Sequence, residues 1–428
     1  MFPELLRRAV FWGYDFSKGS LIAGHISDLK RVFANPQDSQ QLAKQRLDNI
    51  LNHACETTRF YKQFKGASLK DFPVIQKQTV KENYEDFFSS KYDRKNLVST
   101  TTSGSYGTPF KFYQTKDKRA RHTAEVIFFN GWAGYRVGMR YAQVRVYPRS
   151  KWLLFMQNGA LMNPSTIDER WLEQQRQSLK SQKIRFIIGY PSAVGPLAEY
   201  CRMKGDRPDD FLIEGIITGA ESLTSVAKEK LEEVFGGMVL DRYSSNEFGV
   251  MSHECAKCKT HHINIGSHKL ELLAIDRDEP AEAGAVGRIV VTDYFSHAMP
   301  LIRYDTGDLA RLGPECKCGL SIPTLKNIEG RTIEVLYDPD GRMVNAIVFD
   351  RETKDLEGIL RFQMIQKSRD GYVCRLHVMP SFQQGDLIRE RFQQALGPDA
   401  KITYEYVDSI PPLPSGKRPY VINEYKKL

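Results

Sequence analysis

Apolar positions early in the chain recur at helical spacing. Leu42, Leu47, Ile50, Leu51 and Ala54 share one face of a 3.6-residue repeat, and residues 1 to about 95 read as largely helical. The pattern breaks at Asp71-Phe72-Pro73-Val74-Ile75, an extended segment. From about residue 96 to 332, short apolar runs alternate with helical patterns. Lys183–Gly189 predicts a buried strand ending in Gly189-Tyr190-Pro191-Ser192, and Ala193–Tyr200 predicts the helix after it. Phe211–Thr218 predicts a second strand, ended by Gly219. Gly287–Asp293 predicts a third, leading into Leu301–Asp308. Strand, turn and helix repeated in this way predict an α/β domain with ligands at the strand ends.

The pattern changes near Glu329-Gly330-Arg331. Leu360–Gln366 and Tyr372–Met379 flank a turn at Arg369-Asp370-Gly371, which predicts a hairpin. Leu387, Ile388, Phe392, Ala395 and Leu396 mark an amphipathic helix stopped by Gly397-Pro398, and Lys401–Tyr406 predicts a last strand. Two domains are expected: a large multi-subdomain α/β part over 1–332 and a small α+β part over 333–428. A length of 428 residues fits this division.

Hydrophobic residues make up 41% and charged residues 26%, a soluble globular composition. No apolar run approaches the ~20 residues of a membrane span, and Met1 to Arg8 does not read as a signal peptide. Stable membrane insertion is not expected. The first residues are nevertheless amphipathic, with Phe2, Leu5, Leu6, Val10, Phe11 and Trp12. Packing within the chain is the expectation for them, ahead of a membrane or partner contact. The net charge of +9 comes from scattered Lys and Arg, which describes a solvated surface and also suits polyanionic small molecules.

Of seven cysteines, Cys55, Cys201 and Cys374 are isolated and read as small core side chains. The others form Cys255-Ala256-Lys257-Cys258 and Cys316-Lys317-Cys318. Close pairs without a secretion signal favour metal over disulfide and point to a reducing cytoplasm. Four thiolates match a closed, structural Zn2+ site. His253, His261 and His262 crowd the first pair, so one of them can replace a thiol. Two unmetallated pairs are the alternative.

Two further stretches carry candidate chemistry. Thr101-Thr102-Ser103-Gly104-Ser105-Tyr106-Gly107-Thr108-Pro109 combines hydroxyls with glycines, so several N–H groups can converge on one anion. It is no Walker loop, and a plain inter-strand turn is the alternative. Pro411-Pro412-Leu413-Pro414-Ser415-Gly416-Lys417-Arg418 sets one lysine in a stiff, glycine-hinged loop. Between them, Asp241–Gly249 places Glu247 in a polar turn after an apolar strand. There it can hold Mg2+, or it is a solvated loop glutamate. Asp308 can accept from two ribose hydroxyls, or it caps a helix.

Taken in order, the Ser/Thr/Gly loop, Gly219-Ala220-Glu221-Ser222, Tyr243–Glu247, Arg303–Asp308, Glu329-Gly330-Arg331 and Lys417 resemble the adenylate-forming superfamily. Ile302–Asp308 and the cysteine pairs look most like its phenylacetate–CoA ligase family. Gly189-Tyr190-Pro191-Ser192 is similar to the branch linked to capsular polysaccharide synthesis. The resemblance spans roughly residues 40 to 425. It implies a large adenylate-forming N-terminal domain and a mobile C-terminal lid carrying Lys417. The implied activity is ATP-dependent formation of an acyl-adenylate, then transfer to a thiol, most simply that of coenzyme A. A carrier-protein thiol or an amine is the alternative acceptor.

The resemblance also implies roles. Thr102, Ser103, Gly104, Ser105, Tyr106, Gly107 and Thr108 would cradle the ATP phosphates. Gly219, Ala220, Glu221 and Ser222 would line the adenine, with Tyr243 and Ser244 beside it. Glu247 would hold Mg2+, Asp308 the ribose, and Arg331 the ribose or phosphate. Lys417 would bridge the carboxylate and the α-phosphate, because two anions approach only if a cation neutralises the charge that develops. The family's hinge acid follows its Gly-Arg pair, where this chain has Thr332-Ile333-Glu334, so Glu334 is the pivot candidate. His262 also falls at a family position near the substrate pocket. Phe128, Phe129, Trp132 and Tyr135 can line an acyl pocket, although core packing is the commoner use of such residues. A homodimer is compatible with this pattern. A zinc-containing nucleic-acid binder would use the +9 charge but would not require Glu247, Asp308 and Lys417 in that order, so nucleic acid is not expected as a partner.

Overall fold

The computed structural model describes residues 4–101, 111–146, 150–320, 322–331, 335–353, 355–413 and 418–425. By its contacts the chain divides into two compact units. One joins Met1–Val137 to Asp241–Glu329, and the other joins Gly138–Leu240 to Gly330–Leu428. The expected domains, 1–332 and 333–428, divide the sequence, whereas the contacts group residues 138–240 with the C-terminal segment.

The first unit opens with helices Glu4–Ser17, Leu21–Ala34 and Pro36–Thr57, as the periodicity predicts. The second of these is started by a buried acid from the first. Asp15 accepts from the N–H groups of Ile22 (3.0 Å) and Ala23 (2.9 Å), satisfying donors a helix start leaves open. Leu29, Val32 and Phe33 then pack on Ala124 and Phe129 of the Lys116–Asn130 helix. The expectation that the N-terminal apolar residues pack inside the chain fails for Leu5, Leu6 and Val10, which are exposed. The first helix buries Arg7 and Asp15 instead. No helix among the described residues is long and apolar enough to cross a membrane.

The rest of this unit is mostly antiparallel sheet. Its strands lie in the order His268–Leu273, Gly287–Asp293, Tyr304–Leu312, Thr324–Arg331, His261–Ile263, Gly249–Glu254, Met238–Ser245. The predicted extended segment lies beside one of them: Ile75 N–H donates to Arg303 O, and Asp305 N–H donates to Ile75 O. Ile75, Phe72, Leu51 and Ala54 share a buried core with Ile289, Val291 and Ile302.

The second unit contains four parallel strands in the order Gly215–Gly219, Phe186–Gly189, Tyr141–Val144, Gly159–Met162. Gly215–Gly219 is buried along its whole length, as a central parallel strand must be. Gly189 ends its strand for a steric reason, since a Cβ there would lie 2.4 Å from Val144 Cβ. The helix that follows, Pro191–Met203, starts on a proline and buries Ala193, Val194, Leu197, Ala198 and Cys201. Leu360 of the C-terminal segment joins that core. The segment itself folds as a four-stranded sheet, ordered Lys401–Tyr406, Gly371–Val378, Ile359–Gln366, Val421–Asn423. The predicted hairpin is present, with Met364 opposite Cys374, and helix Gly385–Leu396 packs Ile388, Phe392 and Leu396 beneath it.

Candidate functional site

Thr102, Ser103, Gly104, Ser105, Tyr106, Gly107, Thr108 and Lys417 lie outside the described residues, as do Thr332, Ile333 and Glu334. Arg331 closes the Thr324–Arg331 strand. The remaining candidates fall in both units.

In the first unit, Tyr243 and Ser244 sit on the strand that pairs with Gly249–Glu254, opposite Ser252 and Val250. Tyr243 Oη donates to Asp308 Oδ2 at 2.6 Å, so two candidates far apart in sequence meet directly. Thr306 Oγ1 accepts the Asp308 N–H at 3.2 Å and fixes the backbone there. Glu247 is half-buried in the turn between the two strands. Among the described residues its carboxylate has no ion-pair or hydrogen-bond partner.

The backbone around Glu247 is held firmly. Gln114 Nε2 donates to the carbonyls of Asn246 (3.3 Å) and Glu247 (3.2 Å). Lys118 Nζ donates to Phe248 O at 2.7 Å, and His268 Nε2 lies 3.1 Å from the same oxygen. Lys118 also pairs with Asp293 Oδ2 at 2.5 Å, and both side chains are fully enclosed. Glu125 accepts from Val250 N–H at 3.0 Å. Gly249 is needed at this point, because its φ is +90° and a Cβ would fall 2.3 Å from Glu125 Oε2. Sequence reasoning missed Gln114, Lys118, Glu125, His268 and Asp293. The one available signal was the unusual number of charges on the Lys116–Asn130 helix, which does not tell a buried charge from a solvated one.

In the second unit, Gly219 ends its strand and Ala220 adopts a left-handed φ of +68°. This turns Glu221 toward the start of the Pro191–Met203 helix. The Glu221 carboxylate accepts from Ser192 N–H (3.0 Å), Ser192 Oγ (2.9 Å) and Arg418 N–H (2.6 Å). Arg418 is buried and donates from Nε to Ile410 O at 2.7 Å and from a terminal nitrogen to Ser165 O at 3.0 Å and to Pro164 O. Burial, and then the neighbouring Arg361, push its pKa down to about 10. The segment expected to line adenine is therefore also the acceptor for the residue that follows Lys417.

The cysteine pairs converge. Ligand atoms of Cys255, Cys258, His262, Cys316 and Cys318 all lie within 4.8 Å of one another. Cys258 and Cys316 are joined as a disulfide, while Cys255 and Cys318 are free. Only His262 of the three nearby histidines belongs to the group, with Nε2 3.3 Å from Cys318 Sγ. His253 Nδ1 donates to Glu254 O, and its ring stacks on Phe129. His261 Nε2 lies 3.5 Å from Asp241. Phe128, Phe129 and Trp132 pack edge-to-face on one another, and Phe33 meets Phe129 and Trp132 edge-on and Phe128 at a tilt, which is the core use rather than an open pocket wall.

Comparison with known proteins adds a family context. The family described as the CapK C-terminal domain matches residues 336–424. Protein CapK of Staphylococcus aureus is 22% identical over 440 residues, covering 97% of this chain and 95% of its own length. A phenylacetate-coenzyme A ligase of Thermus thermophilus is 28% identical over 317 residues, 69% of this chain and 71% of its own. A solved 2-hydroxyisobutyryl-CoA ligase, in the postadenylation state with R3-HIB-AMP, has a TM-score of 0.74 at 19% identity, over 92% of this chain and 91% of that one. That likeness supports the fold, an α/β body with a small α+β C-terminal domain.

Half-buried His122, beside Gly249, and fully buried His268 give the site region a pH signature. Burial, the largest cause, pushes the His122 pKa down to about 4 from 6.5, and it also lowers that of His268. Unfolded, both rings take up protons near pH 6.5, so the unfolded state binds more protons and stability rises with pH through this window. The thermal unfolding midpoint is expected to drop as pH falls from 6.5 toward 4, and His122→Gln to flatten the slope. A parent midpoint that does not change across the window is the contrary result.

Proposed function

We propose, from the premise that the chain belongs to the adenylate-forming, phenylacetate–CoA ligase-like family with a CapK branch, that it activates a carboxylic acid with ATP and transfers the acyl group to a thiol. In the first step a carboxylate oxygen attacks the α-phosphorus of ATP, and pyrophosphate leaves to give an acyl-adenylate. In the second, the thiol sulfur attacks the acyl carbon, its proton passes to solvent and AMP leaves. Coenzyme A is the simplest thiol. The acid is aromatic or otherwise compact.

The observation that carries this reading is the 2.6 Å hydrogen bond from Arg418 N–H to Glu221. Arg418 is covalently next to Lys417, and Glu221 belongs to the proposed adenine-lining segment. Attack of one anion on another needs a cation where charge develops, and Lys417 is the group proposed to supply it. Asp308 would accept from the ribose, with Tyr243 Oη already on one of its oxygens. Arg331 would reach the ribose or phosphate, and Thr102 to Thr108 would cradle the phosphates. Glu247, a half-buried carboxylate with no described partner, suits Mg2+, which takes one or two carboxylates besides phosphate oxygens. Bound there, the ion would neutralise phosphate charge.

A structural Zn2+ is proposed for the reduced cluster, with Cys255, Cys258, Cys316 and Cys318 as thiolates and His262 as a competing fifth donor. The metal and the Cys258–Cys316 disulfide exclude each other, because zinc binds thiolates. Zinc would tie the loop after the Gly249–Glu254 strand to the loop after the Tyr304–Leu312 strand.

Three measurements test these assignments. In pyrophosphate exchange with the best acid from a carboxylic acid screen, Lys417→Ala is expected to fall about 10²–10³-fold, and parent-like exchange would overturn the mechanism. Acyl acceptance is read by adding coenzyme A, which should speed AMP release. Indifference would favour a carrier thiol or an amine. Protein purified under reducing conditions should carry zinc, lose it in Cys258→Ser, and unfold at lower temperature with a chelator. Metal-free reduced protein of unchanged stability would remove the zinc.

A further inference from the structure

We infer that Lys118, held by Asp293 and supported by Gln114 and His268, is a positioning residue that presents the Glu247 carboxylate to the metal carried by ATP. This rests on the reading of Glu247 as the Mg2+ residue and adds the question of what sets its direction.

A turn at the end of a hairpin ordinarily leaves its carbonyls to water. Here successive carbonyls are taken by side chains. Gln114 binds Asn246 O and Glu247 O, while Lys118 and His268 share Phe248 O. Phe248 N–H donates to Ser245 Oγ at 3.2 Å, and Val250 N–H to Glu125. The backbone is thus tied on both sides of Glu247, while the Glu247 carboxylate itself is left unengaged among the described residues. That is the arrangement of a preorganised ligand: a fixed main chain and a free carboxylate.

The chemistry of the clamp points the same way. Lys118 is 1% exposed and Asp293 is fully buried, so the pair has lost nearly all its hydration. A buried ion pair of this kind is often no better for stability than two apolar side chains of equal volume. What an apolar pair cannot do is place a charge-assisted donor 2.7 Å from Phe248 O. His268 adds a neutral donor. Its pKa is lowered, and a carbonyl only accepts, so the proton sits on Nε2. Asp293 is itself oriented, accepting from Phe295 N–H at 2.9 Å through its other oxygen. These groups come from the Lys116–Asn130 helix, the His268–Leu273 strand and the Gly287–Asp293 strand, and they converge on one carbonyl beside Glu247.

The test uses the full chain with Mn2+ standing in for Mg2+. ATP binding is measured by calorimetry with and without Mn2+, and thermal unfolding checks the fold. Lys118→Met combined with Asp293→Asn removes both charges of the pair, and the buried Glu125 keeps Arg121 as its counter-ion. It is expected to bind metal-free ATP like the parent but to lose about tenfold in the Mn2+-dependent affinity, the scale of a lost supporting contact at a metal. Lys118→Arg, which keeps a cationic donor, should recover part of that loss. If the double variant does not fold, Gln114→Leu removes the neighbouring clamp without touching a charge and should show the same selective loss. A folded clamp variant with parent-like Mn2+ dependence, alongside a weakened Glu247→Gln, overturns the positioning role alone. Parent-like Mn2+ dependence in Glu247→Gln overturns the underlying assignment of Glu247.

Discussion

A buried backbone carbonyl must find a donor, and in this protein enclosed cations repeatedly provide it. Lys118 binds Phe248 O. Arg46 and Arg121 both bind Gly266 O. Arg303 binds Phe72 O, and Arg418 binds carbonyls of Ile410, Pro164 and Ser165. Each of these carbonyls lies in an irregular stretch outside the strands. An unsatisfied carbonyl in such a place costs roughly 1–3 kcal/mol, and a long cationic side chain can reach it from a distant element.

This solution has consequences for chemistry. Enclosing a cation is expensive unless acids and acceptors surround it, so each cap draws in further polar groups. Arg121 draws in Asp28 and Glu125, Lys118 draws in Asp293, and Glu125 in turn holds Val250 N–H. The turn that carries Glu247 is held from several elements, while among the described residues the Glu247 carboxylate is unengaged. Glu221 shows the opposite use of an acid. Both of its oxygens are occupied, by Ser192 and by the backbone of Arg418, so it works as an anchor for Arg418.

The cysteine cluster obeys the same economy of distant partners, with a covalent bond in place of hydrogen bonds. Cys255 and Cys258 stand in one loop and Cys316 and Cys318 in another, with His262 on the strand between them in space. The two loops follow the strands that lead from Glu247 and Asp308. Fixing them together limits how far those two strands can shift against each other.

Much of this was legible in the residue order. The helical repeat through Leu42, Ile50 and Leu51, the strands at Phe186–Gly189 and Gly215–Gly219, the C-terminal hairpin and the spacing of the cysteine pairs all depend on neighbours a few residues apart. Periodicity and turn chemistry act over that range, so the sequence alone determined them. It also set which chemical groups are available and in what order they come. It did not reveal that Leu5 and Val10 stay exposed, that His262 rather than His253 or His261 joins the cysteines, or that Lys118 meets Asp293. Whether a charge is solvated or enclosed depends on groups brought from a hundred or more residues away. Only the tertiary structure supplies that proximity, because local residue preferences carry no measure of distance through space.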